Sequence, residues 1–377
     1  MFFRLRSAWL AFCLLIVATI VSFTRVYSYP QPIDTKKVFV REDAYIAEET
    51  VAHDFRGTVL VGIDGKIVFE KAYGLADEEW DVPVTPQTKF RIASLTKQFT
   101  AACILLLQER GLLHVQDPAS KYLPQMPAAW KAVTIHQLLT HTAGVPNPDY
   151  SGKRYANLQR TGATPKELLG LVENQPLDFT PGTKWNYSNT GYILLGMLVE
   201  KLSGQSYADF LRSNIFQSLV MKDSGYDREA NILRGRASGY QIKDGHLANA
   251  DFIDMTTPFS AGGIYSTMED IFRWNEALAH PGKLLTADSL KQMFTEYPEA
   301  THEGQHYGYG IVISRQKFGR LLYYHGGGVN GFSSVIQRYP DERLCIVVLS
   351  NLETYKPWDL GDHIAADIFH LPMPRAH

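Results

Sequence analysis

An α+β or α/β fold, an antiparallel β-sheet flanked by helices with a mainly helical region inserted between its early and late strands, is what this 377-residue sequence predicts. Three observations lead there. Segments 58–63 and 66–73 are rich in β-branched and aromatic residues and are joined by Asp64-Gly65, a dipeptide suited to a two-residue hairpin turn. From Asp117 to about Asn249, helix-length segments alternate with Pro, Gly and Asn punctuation. Strand patterns then return at 309–314, 321–324, 333–339 and 344–350.

The elements follow in order. Arg4 and Arg6 precede an apolar run over 8–23, interrupted by Thr19 and Ser22, which is the pattern of an export signal. Residues 1–28 therefore form a signal peptide or an N-terminal membrane anchor. The run falls short of the roughly 20 residues that span a bilayer, and Val26-Tyr27-Ser28 is the nearest cleavage site, so both readings stand. Export places the protein in the periplasm or outside the cell. A polar, proline-containing linker near 29–37 leads to a short helix over 41–53. Segment 95–110 reads as a helix ending at Gly111, and its middle is apolar nearly all round, as in a helix buried in the body of a protein. Further helices are expected at 135–140, 165–174, 190–202 and 207–219, and a last one at 358–369. The expected domain covers 38–371, with a sheet subdomain at about 38–116 and 250–371 and a helical subdomain at about 117–249.

Composition narrows the function. With 45% hydrophobic and 20% charged residues the chain can bury a large core. A formal net charge of −2 offers no broad basic surface for a phosphate backbone, so no nucleic-acid partner is expected. Cys13 lies in the early apolar run as a plain hydrophobe. Cys103 and Cys345 sit inside apolar stretches and read as buried free thiols. The chain has no Cys-x-x-Cys, no phosphate loop and no Gly-x-Ser-x-Gly elbow. His302 and His306 stand four apart in a Gly- and Tyr-rich stretch with little helical character, so they read as loop histidines and no metal or other cofactor is expected.

Ser94-Leu95-Thr96-Lys97 opens the buried helix, and residues three apart on a helix share a face. A serine hydroxyl needs a neighbouring base to become a nucleophile. Lysine at its ordinary pKa is neutral in only roughly one molecule in 2,500 at pH 7, but burial and a helix N-terminus both favour the neutral amine. Ser314-Arg315-Gln316-Lys317 has the same spacing in a polar segment that no helix follows. Tyr187-Ser188-Asn189 lies between a Pro181-Gly182 turn and an apolar helix, where a phenol can shuttle a proton and an amide can hold a carbonyl. Tyr155-Ala156-Asn157 shares the spacing without that setting. His325-Gly326-Gly327-Gly328 follows a Leu-Leu-Tyr-Tyr strand, and its glycines let backbone N–H groups approach a substrate, as an oxyanion site requires. His280-Pro281-Gly282 and His302-Glu303-Gly304 also fit His-x-Gly, but neither ends a predicted strand.

Ordered as Ser-x-x-Lys, Tyr-x-Asn and His-x-Gly, these motifs make the chain resemble the penicillin-binding protein and class C β-lactamase family of active-site serine enzymes. The resemblance runs from about Phe55 to Leu371 and includes Phe90-Arg91-Ile92-Ala93, Leu138-Leu139-Thr140-His141-Thr142-Ala143-Gly144, Ala261-Gly262-Gly263-Ile264-Tyr265-Ser266-Thr267 and Asn330-Gly331-Phe332-Ser333-Ser334. It implies a β-lactamase/transpeptidase-like fold and a role for each matching residue. Ser94 would be acylated and Lys97 would take its proton. Tyr187 would protonate the leaving group and later activate the deacylating water. Asn189 would hold the acyl side-chain amide, His325 and Gly327 would line the strand beside the substrate, and the N–H groups of Ser94 and Gly328 would form the oxyanion hole.

Class C β-lactamases usually have Lys-Thr-Gly where this chain has His325-Gly326-Gly327, so strong β-lactamase activity is not expected. The resemblance points instead to a D-alanyl-D-alanine carboxypeptidase, a D-amino-acid peptidase or an esterase, acting on small peptides, amides or esters, with peptidoglycan as the envelope partner. The alternatives are a β-lactamase and a non-catalytic envelope protein that binds peptidoglycan or another protein.

Overall fold

The computed structural model describes residues 35–372. The export segment and Cys13 lie outside the described residues. Helix α1 (Thr35–Ala52) starts earlier than the expected 41–53 and takes in the end of the expected linker. Strands β1 (Gly57–Ile63) and β2 (Lys66–Tyr73) follow as a hairpin whose turn residues Asp64 and Gly65 both have positive φ, 54° and 72°. That is the turn expected of Asp-Gly. Helix α2 (Thr96–Glu109) is buried over its first twelve residues, as its all-round apolar sequence predicts. Helix α3 (Asn189–Ser203) is capped by the Ser188 side chain and stopped by Gly204 at φ 69°. Helix α4 (Met268–Ala279) begins at the cap Thr267.

The late strands are β3 (Thr301–His302), β4 (Gln305–Tyr307), β5 (Val312–Ser314), β6 (Leu322–Val329), β7 (Phe332–Tyr339) and β8 (Leu344–Ser350), with α5 (Pro357–Phe369) after them. One antiparallel eight-stranded sheet runs in the order β3-β4-β5-β6-β7-β8-β1-β2. The early hairpin thus closes on the last strand, pairing Gly57 with Ser350 and Ile63 with Leu344. Successive residues of β7 point to opposite faces. Gln337 reaches Asp362 of α5, and Arg338 reaches Asn275 of α4, so the two helices cover the two sides of the sheet.

Several elements depart from expectation. The helix expected at 165–174 is only Pro165–Leu169, and the one at 207–219 is Tyr207–Leu211 followed by a π-turn, Arg212–Phe216. A short polar helix, Lys153–Thr161, is unexpected: Tyr155 and Leu158 are its only large apolar residues, and both are only partly buried. The segment expected to be mainly helical ends in a hairpin, Tyr240–Lys243 with His246–Asn249, around Asp244-Gly245, the same turn dipeptide as in the first hairpin. β6 continues past the expected Tyr324 because Gly326, Gly327 and Gly328 stay in register with Val335, Ser334 and Ser333. Cys103 and Cys345 are buried free thiols. Among the described residues no helix is long and apolar enough to cross a membrane.

Candidate active site

Ser94 sits in a tight turn, Ala93–Leu95, that leads directly into α2. Ala93 has φ 47°, a left-handed conformation costly for a residue with a Cβ. The turn is pinned where Ile92 N–H donates to Ile264 O and Ser334 Oγ donates to Ile92 O. Gly327 explains how close β6 can come: a Cβ there would lie 2.3 Å from Ile92 O and 3.1 Å from the Ser94 nitrogen. At Gly328 a Cβ would meet nothing within 4 Å, and this residue opens on the cleft beside Ser94.

The Lys97 amine lies 3.1 Å from Ser94 Oγ, 2.9 Å from Asn189 Oδ1 and 2.8 Å from Ala261 O. Its side chain is fully buried. Burial holds it well below the usual lysine range, and among the described residues no carboxylate pulls it back. The Tyr187 ring centre is 4.6 Å from the amine. Burial also raises the Tyr187 phenol, with the Ser94 hydroxyl acting in the opposite sense.

Two residues to which the sequence reading assigned no role hold Tyr187 in place. The carbonyl of His141 accepts from Asn186 N–H at 3.0 Å, and its Nδ1 accepts from Ser188 N–H at 3.0 Å, so one residue grips the chain on both sides of Tyr187. Their rings pack with centres 4.4 Å apart. An accepting Nδ1 requires a neutral ring, and burial together with the neighbouring Lys97 and His325 holds this imidazole well below its ordinary value. The Asn147 amide donates to Tyr187 O at 2.7 Å and accepts from Asn189 N–H at 2.8 Å. His141 lies in one of the stretches that carry the resemblance, whereas nothing in the local sequence marks Asn147.

Ser94, Lys97, Tyr187, Asn189 and Gly328 come together as expected, while His325 and Gly327 lie one layer behind the cleft. His325 is 4% exposed; its Nε2 is 2.9 Å from Tyr307 Oη and its Nδ1 is 2.6 Å from Gly326 O. Since the carbonyl can only accept, Nδ1 carries the proton and Nε2 accepts from the phenol. Burial and, less strongly, Lys97 push this imidazole down to about 3. Asn189 is already committed at both ends, because its Nδ2 donates to Tyr150 Oη at 2.8 Å. His302 and His306 stand on neighbouring strands β3 and β4, where His302 stacks on Trp185.

The family model described as Beta-lactamase matches residues 43–368. A penicillin-binding protein of Bacillus subtilis (strain 168) is 33% identical over 317 residues, spanning 80% of this chain and 69% of that protein. Two solved structures are similar. The octameric penicillin-binding protein homologue of Pyrococcus abyssi has a TM-score of 0.78 at 26% identity, covering 89% of this chain and 78% of its own. A D-stereospecific amidohydrolase from Streptomyces sp. has a TM-score of 0.73 at 25% identity, covering 87% and 98%. A match across this span, on a chain that brings Ser94 and Lys97 together at the start of one buried helix, makes the protein a member of the Beta-lactamase family of serine hydrolases.

Proposed function

We propose that the protein is an exported hydrolase that cleaves amide or ester bonds of small D-amino-acid peptides, amides or esters through an acyl-enzyme on Ser94. The observation that carries this reading is the buried Lys97 amine, 3.1 Å from Ser94 Oγ and with no counter-ion among the described residues. Ser94 Oγ adds to the substrate carbonyl while its proton passes to Lys97 Nζ. The N–H groups of Ser94 and Gly328 receive the developing oxyanion. The scissile bond then breaks as the leaving group takes a proton by way of Tyr187. A water molecule then attacks the acyl carbonyl as its proton passes to the same groups, the acyl–Oγ bond breaks to release the acid, and that proton returns to Ser94 Oγ. The Streptomyces amidohydrolase supports an amide substrate. Residues 1–28 would export or anchor the domain, with peptidoglycan within its reach.

Intact-mass measurement with a fluorophosphonate or an activated ester tests this. An adduct on the wild type and none on Ser94→Ala is expected. Tyr187→Phe should slow both acylation and turnover of 4-nitrophenyl acetate. No adduct with any acyl donor would leave only a binding function for the fold.

A further inference from the structure

Among the described residues no charged side chain lines the cleft beside Ser94. It encloses about 300 Å3, at the small end of ligand sites, and runs past Asn189 along Tyr150, Tyr155, Leu168, Ile193, Ile253 and Pro258. Its other lining side chains are small or neutral, and none is Lys, Arg, Asp or Glu. Nearby basic side chains are committed elsewhere. Arg91, three residues before Ser94, binds Asp227 and Glu229, and Lys89 pairs with Asp223 at 2.9 Å. The Lys97 amine is enclosed by Ser94, Asn189 and Ala261. The imidazole of His325 is buried behind β6 and its Nδ1–H is spent on Gly326 O. Gly326 and Gly327 offer no hydroxyl.

A carboxylate or ammonium brought into such a cleft would give up its water shell and find no counter-charge. The backbone N–H groups at the start of α2 provide no substitute, since in the acyl-enzyme mechanism they hold the reacting carbonyl oxygen. The apolar wall, with Tyr150 and Tyr155 edge to face at 5.0 Å between ring centres, suits an aryl or branched alkyl group. We infer that the substrate is uncharged on both sides of the bond that is cut: an amide or ester with an apolar acyl substituent, not a peptide whose free C-terminal carboxylate adjoins the scissile bond. This rests on the acyl-enzyme reading and narrows it. Penicillins and cephalosporins, which carry a carboxylate beside the lactam, are then poor acyl donors.

The test compares 4-nitrophenyl esters of phenylacetate, glutarate and 6-aminohexanoate, which share one leaving group but carry neutral, anionic and cationic acyl parts. N-acetyl-D-phenylalanyl-D-alanine and its C-terminal amide, read by release of D-alanine or D-alaninamide, form a second pair. The neutral member of each set is expected to have a kcat/KM higher by about tenfold or more, carried mainly in KM. In Gln159→Arg, which sets a cation on the cleft wall, the glutarate-to-phenylacetate ratio should rise at least about fivefold. Charged members turned over as fast as neutral ones, or an unchanged ratio in Gln159→Arg, would overturn the inference while the Ser94 adduct stood. Failure of every ester to label Ser94 would instead remove the acyl-enzyme reading, and the inference with it.

Discussion

Replacing Lys97 separates proton acceptance from mere electrostatic support. In Lys97→Met the chain length and packing are nearly kept, but Asn189 Oδ1 and Ala261 O lose donors at 2.9 and 2.8 Å. Each buried acceptor left unpaired costs about 1–3 kcal/mol. Against this stands the removal of an amine buried with no carboxylate nearby, a placement that is itself unfavourable. The two effects oppose, so the net change in stability is expected to stay within about 2 kcal/mol and the variant should fold. Acylation should nevertheless fall by roughly 100- to 10,000-fold, the usual contribution of a positioned base. Lys97→Arg is the sharper variant, because a guanidinium keeps the positive charge but cannot accept a proton at any accessible pH. Burst kinetics with 4-nitrophenyl acetate, followed against pH, read both. Wild-type acylation should rise as Lys97 deprotonates, with a midpoint below the ordinary 10.5, and both variants should lack that limb. Acylation by Lys97→Arg at the wild-type rate would refute proton acceptance by this amine.

Further perturbations reach other parts of the structure. His141 holds φ 61°, which costs Asn less than Ala, and Asn keeps a side-chain acceptor for Ser188 N–H. Turnover of 4-nitrophenyl acetate should therefore fall in the order wild type, His141→Asn, His141→Ala, with a loss of about 10- to 100-fold in the last. Gly327→Ala would place a Cβ 2.3 Å from Ile92 O, so thermal melts should show a loss of about 1–3 kcal/mol and fluorophosphonate labelling of Ser94 should drop sharply. Glu42, 1% exposed between α1 and α5, has its carboxyl raised to about 8 by burial and then by Asp367. A raised acid stabilises the fold below its unfolded value of 4.5 and ceases to do so as pH climbs through 8, so the melting temperature should decline across that window and Glu42→Gln should flatten the decline.

Local chemistry was enough to read the chain's elements of chemistry and much of its frame. Asp64-Gly65 dictates a hairpin because both positions need left-handed backbone, and the apolar circumference of 99–107 dictates a buried helix whichever way the sheet turns. The spacing of Ser94 and Lys97 places them on one helical face for the same local reason. The helix at 153–161 leaves little trace in the sequence because Tyr155 and Leu158 are its only large apolar residues, too few to set a period over nine positions.

What tertiary structure alone decided is which groups face each other across long stretches of chain. Lys97 meets Asn189 and Ala261, and with them a cavity without carboxylates, only when α2, α3 and the segment after Pro258 pack together. Nothing near Asn147 in sequence foretells its grip on Tyr187, and nothing near His325 foretells that the Tyr307 hydroxyl would occupy its Nε2. Spacing along a helix is set by backbone geometry within a few residues, whereas burial, and with it the protonation of an amine or an imidazole, depends on what the rest of the molecule places around it.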